Sequence, residues 1–484
     1  MSIRNLEPKA VWENFYQLTQ IPRPSKKEAQ VIEFTKTFGE KLGLETIVDK
    51  VGNVIIKKPA TKGMENRKTV VLQAHLDMVP QKNSNIAHDF EKDPIKAYID
   101  GDWVTAEGTT LGSDNGMGVA AAMAVLQATD LSHGPIEVLL TMDEETGMTG
   151  AFNLEAGLLN GDILLNLDSE DEGELYIGCA GGADANAKLH YTEVAVPSNV
   201  KAYKLSITGL KGGHSGLDIN LGRGNANKIL VRLLKEGAMD FGLRLAEAEG
   251  GNMRNAIPRE SFATITIPTV KAEAFEQKVV ELTAIIKKEL SGMEPNLSIV
   301  CEPTTLPGAL VDVAAQKSFI NAVYGCPSGV IRMSDAMPGV VETSTNLSII
   351  KAKDGEMAIL SLLRSSVDTA KRDLQNTMRS IFELAGACIS FTGEYPGWKP
   401  KPDADIIKVM QETYQMKYNK TPEIKVIHAG LECGIIGAVY PNMDMVSFGP
   451  TIRYPHSPDE KVNIATVQLF WDYLVETLKN IPVK

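Results

Sequence analysis

The sequence predicts an α/β protein in which a mainly parallel mixed sheet flanked by helices is interrupted by an inserted α+β domain. Three observations lead to this prediction. The chain of 484 residues is too long for one compact core, so more than one domain is expected. In its first part, helical patterns alternate with short apolar runs, which is the order of parallel α/β units. Near residue 197 the pattern changes, and the new order of elements then occurs twice.

The first domain is expected to consist of residues 1–196 and 394–484. Its helices are predicted from apolar side chains at helical spacing, and its strands from short apolar runs. The predicted helices are 27–43, Gly118–Ala128, Ile406–Tyr418 and Ala465–Lys479. The predicted strands are Val70–Leu72, Ile136–Thr141, Ile163–Leu167 and Met443–Phe448.

Residues 197–393 are expected to form the inserted domain, made of two similar sandwiches at about 197–303 and 304–393. The first half has the order β-α-β-α-β, and one further short strand near residues 251–256 would complete a β-α-β-β-α-β unit. Its elements are predicted at Lys204–Ile207, Asn225–Lys235, Phe262–Ile267, Phe275–Leu290 and Leu297–Cys301. The second half repeats this pattern at Ala315–Tyr324, 340–350, 356–364, Ala370–Ala385 and Cys388–Phe391. The proline-rich segment Glu394–Asp403 is expected to lead back to the first domain.

The composition argues against several classes of partner. A net charge of −12 disfavours nucleic acid and anionic membrane surfaces, because both require a basic face. The 5 cysteines are widely spaced without a C-x-x-C pair, which is typical of reduced thiols rather than of disulfides or a thiolate zinc site. The N-terminus has no apolar signal segment, and no apolar run reaches the roughly 18 residues that a membrane helix needs. We therefore expect a cytoplasmic protein.

Acidic and histidine side chains follow the ends of the predicted strands. A pair follows each of the first two strands, one acid follows the third, one histidine follows the late strand, and a further acid lies in a Gly-rich turn that begins a helix. These residues are His75, Asp77, Glu144, Glu145, Asp168, His456 and Asp114. Because ligands of open α/β sheets bind beyond the carboxyl ends of the strands, we expect these side chains to converge.

A cluster of carboxylates and two imidazoles would be strongly repulsive without a cation, and a pair of divalent metal ions resolves this. Oxygen and nitrogen ligands without thiolate suit zinc, manganese or cobalt, and a shared carboxylate places two ions roughly 3.5–4 Å apart. By its position Asp114 is expected to bridge the ions. His75 and Asp168 would complete one site, and Glu145 and His456 the other.

Two further acids are expected to support the chemistry. Asp77 lies two residues beyond His75 in an extended segment and therefore on the same face, where it can accept the free ring N–H of that histidine and fix its tautomer. Glu144 and Glu145 are adjacent and point in different directions. One of them can therefore bind a metal ion while the other acts as general base.

Each motif alone has a simpler explanation. An H-x-D sequence is usually a histidine beside a surface acid, D-E-E an exposed acidic turn, and D-N-G a β-turn. Asp168 could cap a helix, and His456 could be an ordinary loop residue. Together these explanations would require unrelated accidents at strand ends in one consistent order, so the combination favours a metal centre.

In this order the motifs H-L-D-M-V-P, G-S-D-N-G, D-E-E-T-G, N-L-D-S-E and P-H-S-P resemble those of the aminoacylase/carboxypeptidase metallopeptidases. The resemblance covers essentially the whole chain. It implies a di-metal peptidase catalytic domain with two zinc ions, and Asp77 and Glu144 as catalytic residues. The ligands that it implies are His75, Asp114, Glu145, Asp168 and His456.

The resemblance also implies that the inserted domain is a lid. His214 in G-L-K-G-G-H-S-G matches a histidine that reaches the scissile carbonyl or the substrate carboxylate, although a turn histidine is the alternative. Asn255 in R-N-A-I-P and Arg364 in L-L-R-S-S-V-D match residues that bind the carboxylate end of the substrate. Both could equally be surface polar groups on strands.

The expected function is metal-dependent hydrolysis of dipeptides with free termini, Xaa-His and others, with a small peptide as substrate and without nucleic acid or membrane as partner. Many family members have G-T-D where this chain has H-A-G-L-E-C-G (428–434), and D-D where it has Asp114-Asn115; both departures fit the Xaa-His dipeptidase branch. For His428 and Cys433 we expect a structural or surface role. A homodimer is left open, because a duplicated lid could replace the lid of a partner.

Two other functions compete with this one. An amidohydrolase of N-acyl amino acids would use the same core, and a catalytically inactive, metal-stabilised binding protein would not need Glu144. The motifs H-E-x-x-H, G-x-S-x-G and G-x-x-x-x-G-K-[ST] do not occur, so a serine hydrolase or a nucleotide-binding protein has no support.

Overall fold

The computed structural model describes residues 2–484, which divide into two compact units. The first unit contains the chain up to Cys179 together with Trp398–Val426 and Leu431–Lys484. The second contains Ala180–Gly397 and Ile427–Gly430. The domain limits predicted at residues 196 and 393 stay a prediction.

The helices are numbered in chain order. The α-helices of residues 2–484 are α1 (Lys9–Thr19), α2 (Ala29–Lys41), α3 (Ser113–Gln127), α4 (Glu144–Gly147), α5 (Thr149–Phe152), α6 (Ala226–Glu236), α7 (Ala272–Glu289), α8 (Val313–Gly325), α9 (Asp368–Leu384), α10 (Asp405–Tyr418), α11 (Glu432–Val439) and α12 (Ile464–Lys479). Short 3₁₀ turns lie at Ile3–Asn5, Ile219–Leu221 and Thr269–Lys271, and a π-helical turn lies at Gly237–Phe241. Within residues 2–484, no helix is both long and apolar enough to cross a bilayer.

The strands are numbered in the same way. They are β1 (Glu45–Val48), β2 (Val54–Lys58), β3 (Val70–His75), β4 (Ala97–Asp100), β5 (Trp103–Ala106), β6 (Ile136–Thr141), β7 (Ile163–Asn166), β8 (Glu174–Cys179), β9 (Gly181–His190), β10 (Glu193–Val194), β11 (Val200–Thr208), β12 (Gly213–His214), β13 (Arg244–Gly250), β14 (Ala256–Ile257), β15 (Ser261–Pro268), β16 (Ser298–Pro303), β17 (Leu310–Val311), β18 (Gly329–Met333), β19 (Val341–Lys353), β20 (Glu356–Ser365), β21 (Cys388–Tyr395), β22 (Glu423–Ile427), β23 (Asp444–Ser447), β24 (Ile452–Arg453) and β25 (Lys461–Asn463).

The first unit is built on an eight-stranded sheet with the order β1-β2-β6-β3-β7-β23-β8-β22. The strands β6, β3, β7 and β23 pair in parallel, whereas β1, β2 and β8 pair antiparallel with their neighbours. Every residue of β3, β6 and β7 is buried, which explains why these strands are mainly apolar in the sequence. The predicted mainly parallel mixed sheet is confirmed.

Helix α3 begins earlier than the helix predicted at Gly118–Ala128. Its first residues belong to the motif G-S-D-N-G, and Asp114 and Asn115 have non-helical backbone angles. The helical periodicity of the sequence therefore indicates only the Ala-rich part of α3. From Asn115 to Leu126 every residue of α3 is buried, so the helix lies within the first unit rather than on its surface.

The second unit contains a nine-stranded sheet with the order β16-β11-β15-β13-β19-β20-β9-β21, in which β18 also pairs with β19. One half of it runs β11-α6-β13-β15-α7-β16 and the other β9-α8-β19-β20-α9-β21. Both halves place the fourth strand beside the first and the third beside the second, and β13 pairs with β19 to join them. This repeated order confirms the two similar sandwiches, which share one hydrophobic core.

Two details of this unit differ from the sequence-based expectation. The short strand predicted near residues 251–256 is wrong in position, because the strand that completes the first half is Arg244–Gly250. The first strand of the second half, Gly181–His190, was not predicted at all. Both strands alternate alanine with polar residues, and alanine has a low strand propensity, so neither stands out in the sequence although their alanines are buried in the core.

Candidate metal centre

His75 and Asp77 stand at the carboxyl end of β3 and are both buried. The Nδ1 atom of His75 lies 3.3 Å from Oδ1 of Asp77. The same carboxylate accepts the backbone N–H groups of Glu144 and Glu145 at 3.0 and 3.2 Å. Burial alone would raise the pKa of Asp77, but the contact with His75 lowers it to about 2. Asp77 is therefore an ionised group that links the end of β3 to the turn that follows β6.

Asp114 lies between two imidazoles. Its Oδ1 atom is 3.1 Å from Nε2 of His75, and its Oδ2 atom is 3.1 Å from Nε2 of His456. Oδ1 of Asp168 lies 3.4 Å from the same nitrogen of His75, and Oε2 of Glu145 lies 3.0 Å from that of His456. The donor atoms thus form two groups that share the Asp114 carboxylate. All of these residues belong to the first unit.

The charges of this cluster are unbalanced. Burial would lower the pKa of His75, but the carboxylates of Asp168, Asp114 and Asp77 raise it well above its usual value. Hydrogen bonds to Asp114 and Glu145 raise the pKa of His456 to about 11. Burial, reinforced by neighbouring carboxylates, raises the pKa of Asp168 to about 7. Such mutual perturbation indicates a concentration of negative charge that a bound cation would relieve.

The donor set fits divalent metal ions. Among the described residues, Oε1 of Glu145 is buried without a hydrogen-bond partner, and so it is left for a ligand that the protein itself does not supply. One donor atom each from His75, Asp114 and Glu145 lies within 4.8 Å of the others. Nitrogen and carboxylate oxygen donors without thiolate suit zinc, manganese or cobalt.

Glu144 differs from its neighbour in having a free carboxylate. Within residues 2–484 its side chain accepts no hydrogen bond and joins no ion pair, although its backbone N–H is held by Asp77. Burial is the main reason that the pKa of Glu144 is raised well above its usual value, and Asp168 and Glu432 add to the shift. A partly buried carboxylate without another bonding partner is suited to accept and release a proton.

Three supporting residues could not be found from the sequence. Glu460 accepts the backbone N–H groups of residues 111–114 at 2.7–3.2 Å and so holds the turn that carries Asp114. Arg23 donates to the carbonyls of Asp77 and Gly112 at 3.0 and 2.5 Å, which ties two loops of the centre together. Glu28 accepts the N–H of residue 143 at 3.1 Å beside the Glu144 turn. Only Glu460 had a signal in the sequence, because it follows His456 closely in P-H-S-P-D-E.

Asn115 supports a further residue of the cluster. Its Nδ2 atom donates to the carboxylate of Asp168 and, at 3.0 Å, to the carbonyl of Leu167. The asparagine that follows Asp114 therefore orients Asp168, which gives a structural role to one of the two departures noted in the sequence.

The predicted substrate-binding residues lie together in the second unit. His214 accepts the N–H groups of Gly216 and Leu217 on Nδ1 at 3.1 and 3.0 Å, so in its neutral form the proton is on Nε2. Burial, followed by the charge of Arg364, lowers the pKa of His214 and favours that neutral form. Asn255 is exposed, and its carbonyl accepts the N–H of Ser215 at 2.8 Å.

Arg364 is a buried cation without a counter-charge. Its side chain is 5% exposed, and it donates to hydroxyl groups, at 3.5 Å to Ser215 and at 3.2 Å to Tyr395. It joins no ion pair within residues 2–484, and the nearby Asp184 instead pairs with Arg254 at 3.5 Å. Buried charges are normally paired, so Arg364 is suited to bind an anion.

The residues of this centre lie within a segment of the chain that matches a known family of peptidases. Residues 71–480 match the family described as Peptidase family M20/M25/M40. The chain belongs to this family. This membership confirms the family predicted from the motifs and shows that the centre lies in a peptidase.

Two relatives match this M20 family member over its full length. It is 49% identical over 482 residues to the cytosol non-specific dipeptidase of Escherichia coli (strain K12), covering 100% of this chain and 99% of the relative. It is 51% identical to the solved structure of aminoacylhistidine dipeptidase from Vibrio alginolyticus, with a TM-score of 0.97 and coverage of 100% and 99%. The aminopeptidase PepT of Bacillus cereus shares the fold at 16% identity and a TM-score of 0.58, over 98% and 99% of the two chains.

Proposed function

We propose that this M20 family member is a metallodipeptidase that hydrolyses dipeptides with free termini. The observation that carries the proposal is the position of Asp114, whose two oxygens face His75 and His456 separately at 3.1 Å. A donor set divided in this way is suited to hold two ions that share one carboxylate. Two relatives named as dipeptidases, at 49% and 51% identity over the whole chain, support the substrate class. The name of the first supports a cytosolic location.

The ligands are assigned from these distances. His75, Asp168 and Asp114 would hold one ion, and Glu145, His456 and Asp114 the other. Zinc is the expected metal, with cobalt or manganese as alternatives. When bound, such ions polarise a carbonyl and lower the pKa of water from 15.7 to about 7. Asp77 keeps the ring of His75 in one orientation through its contact with Nδ1.

Glu144 is proposed as the general base. Its free carboxylate takes a proton from the water that attacks the scissile carbonyl carbon, and returns this proton to the amine nitrogen as the C–N bond breaks. The products are a free carboxylic acid and a free amine. The hydrogen bond from its backbone N–H to Asp77 keeps Glu144 at the end of β6 while it acts.

Three residues of the second unit are proposed to bind the substrate. The guanidinium of Arg364 suits the terminal carboxylate of a dipeptide, because it is buried and has no acidic partner among the described residues. His214 can donate from Nε2 to an oxygen of the substrate, and Asn255 offers an exposed amide. Carboxylates of the metal centre suit the free amine at the other end.

The proposal predicts how the activity depends on substrate and metal. Purified protein should hydrolyse a free dipeptide, lose this activity on prolonged treatment with a chelator, and regain it with zinc. An N-acetylated amino acid should be a much poorer substrate, since it has no free amine. Release of amino acids, followed by chromatography, is the measurement. Faster cleavage of N-acetyl amino acids would favour the amidohydrolase, and no cleavage of either would favour an inactive binding protein.

A second prediction concerns the terminal carboxylate. Amidating the C-terminus of a good dipeptide should lower kcat/KM roughly ten- to a hundredfold, because the buried guanidinium of Arg364 is then left without its partner. In Arg364→Ala the free and amidated dipeptides should be cleaved at similar rates. The ratio of the two cleavage rates does not change if part of the variant protein is inactive, because both rates then fall equally.

The matched control is Arg332→Ala, which removes an exposed arginine paired with Asp335 in the same unit. It should retain the wild-type preference for the free dipeptide. Equal cleavage of free and amidated dipeptides by the wild-type protein would contradict the assignment of Arg364 and point to a broader aminopeptidase.

A further inference from the structure

Four polar side chains form a buried hydrogen-bonded layer beneath the metal centre. Gln73 of β3, Thr141 of β6 and Asn166 of β7 lie on neighbouring strands, and Glu432 is the first residue of α11. Each is at most 1% exposed. The Nδ2 atom of Asn166 donates to Oε1 of Gln73 at 2.5 Å. Oε2 of Glu432 accepts from Nε2 of Gln73 at 2.6 Å and from the hydroxyl of Thr141 at 2.7 Å.

This layer is adjacent to the proposed ligands in the sequence and in the sheet. Gln73 lies two residues before His75 on β3, so the side chains of these two residues point to the same face. Asn166 is the last residue of β7 and lies two residues before Asp168. In the register of the parallel strands, Gln73 pairs with Asn166, and His75 pairs with Thr141. Glu432 therefore contacts the strands at Gln73, two residues before His75, and at Thr141, the register partner of His75.

Glu432 is poorly matched to a purely structural role. Its Oε1 atom is buried and has no hydrogen-bond partner among the described residues. Burial raises the pKa of Glu432 to about 7, while the nearby His75 opposes the shift and Asp168 adds to it. A buried acid that satisfies only one oxygen is unfavourable in the protein alone, and an amide would bond to the same neighbours without a charge. Nearby cations would offset this cost.

We propose that Glu432 is an anionic positioning residue of the metal centre, which Gln73 and Thr141 hold in place and whose charge stabilises the bound ions. The inference rests on the proposed function, because it requires metal ions at His75 and Asp168. Glu432 would act through the bound ions and not through contact with the substrate. It gives a role to H-A-G-L-E-C-G, a motif to which the sequence alone assigned none.

Three variants separate charge from shape. Glu432→Gln keeps the size of the side chain and an oxygen for Gln73 and Thr141 but removes the charge. Glu432→Asp keeps the charge but shortens the side chain. The control is Glu294→Gln in the second unit, where a carboxylate that is likewise buried accepts the backbone N–H groups of Lys211 and Gly224 at 2.8 and 2.9 Å.

The measurement is the dissociation constant of Co²⁺, determined by titrating the Co²⁺-loaded proteins with a chelator and following the visible absorption of the bound ion. Glu432→Gln should weaken binding roughly 10- to 100-fold, the usual effect of groups that support metal ligands. Glu432→Asp should bind more tightly than Glu432→Gln, and Glu294→Gln should bind like the wild type. Thermal unfolding of each protein after chelation reports its stability without metal.

The opposite order would overturn the inference. If Glu432→Gln binds Co²⁺ like the wild type while Glu432→Asp is weaker, the side chain acts through its shape alone. If Glu432→Gln lowers the unfolding temperature of the chelated protein but leaves Co²⁺ binding unchanged, the role of Glu432 is structural, which likewise overturns the inference. A wild-type protein that binds no Co²⁺ would instead contradict the proposed function itself, so the two failures are distinguishable.

Discussion

Glu144→Gln is expected to lower kcat by roughly 10²–10⁴-fold, the usual contribution of a general base, while the metal content stays unchanged. Glutamine has the shape of glutamate but cannot accept the proton of the attacking water. The carboxylate of Glu144 makes no hydrogen bond or ion pair within residues 2–484, so no structural contact is lost with it. Steady-state kinetics together with elemental analysis of the purified variant test this expectation.

The control for Glu144 is its neighbour. Glu145→Gln removes a carboxylate that lies 3.0 Å from Nε2 of His456 and is proposed to bind metal. This variant should lose one ion and regain part of its activity at high zinc concentration, whereas Glu144→Gln should not respond to added zinc. If both variants lost metal equally, or if Glu144→Gln stayed active, the roles assigned to the two residues would be wrong.

Asp114→Asn is expected to reduce the metal content from close to two ions per chain to about none, and activity to background. The reason is that each oxygen of Asp114 faces a different imidazole, so one change weakens both sites. Asp168→Asn changes a carboxylate that faces only one of the two imidazoles, that of His75 at 3.4 Å, and should therefore empty one site. Mass spectrometry of metals in dialysed protein gives the count.

The matched control is Asp171→Asn, since Asp171 belongs to the same acidic run as Asp168 but pairs with Arg453 at 2.7 Å. It should keep both ions and full activity. Full activity with one ion per chain in the wild-type protein would contradict the shared-carboxylate arrangement, and so would retention of one tightly bound ion by Asp114→Asn.

Local patterns in the sequence were enough to predict the parallel strands of the first unit and the convergence of acidic and histidine side chains at their carboxyl ends. The strands β3, β6 and β7 are buried on both faces, and their sequences are therefore mainly apolar. The carboxyl ends of parallel strands meet at one edge, which is why His75 and Asp168 could be expected together from the sequence alone. Different roles could be expected for Glu144 and Glu145 because adjacent side chains point in different directions.

Only the tertiary structure identified the groups that hold these residues in place. Glu460, Glu432 and Arg23 act on the centre across long separations in sequence, for example between Glu432 and Gln73 at 2.6 Å. The strand Gly181–His190 was likewise missed, because its buried alanines have a low strand propensity. The sequence alone does not distinguish a buried acidic residue from an exposed one. What distinguishes them is the set of donors that packing brings within hydrogen-bonding distance, and this depends on parts of the chain that local periodicity does not connect.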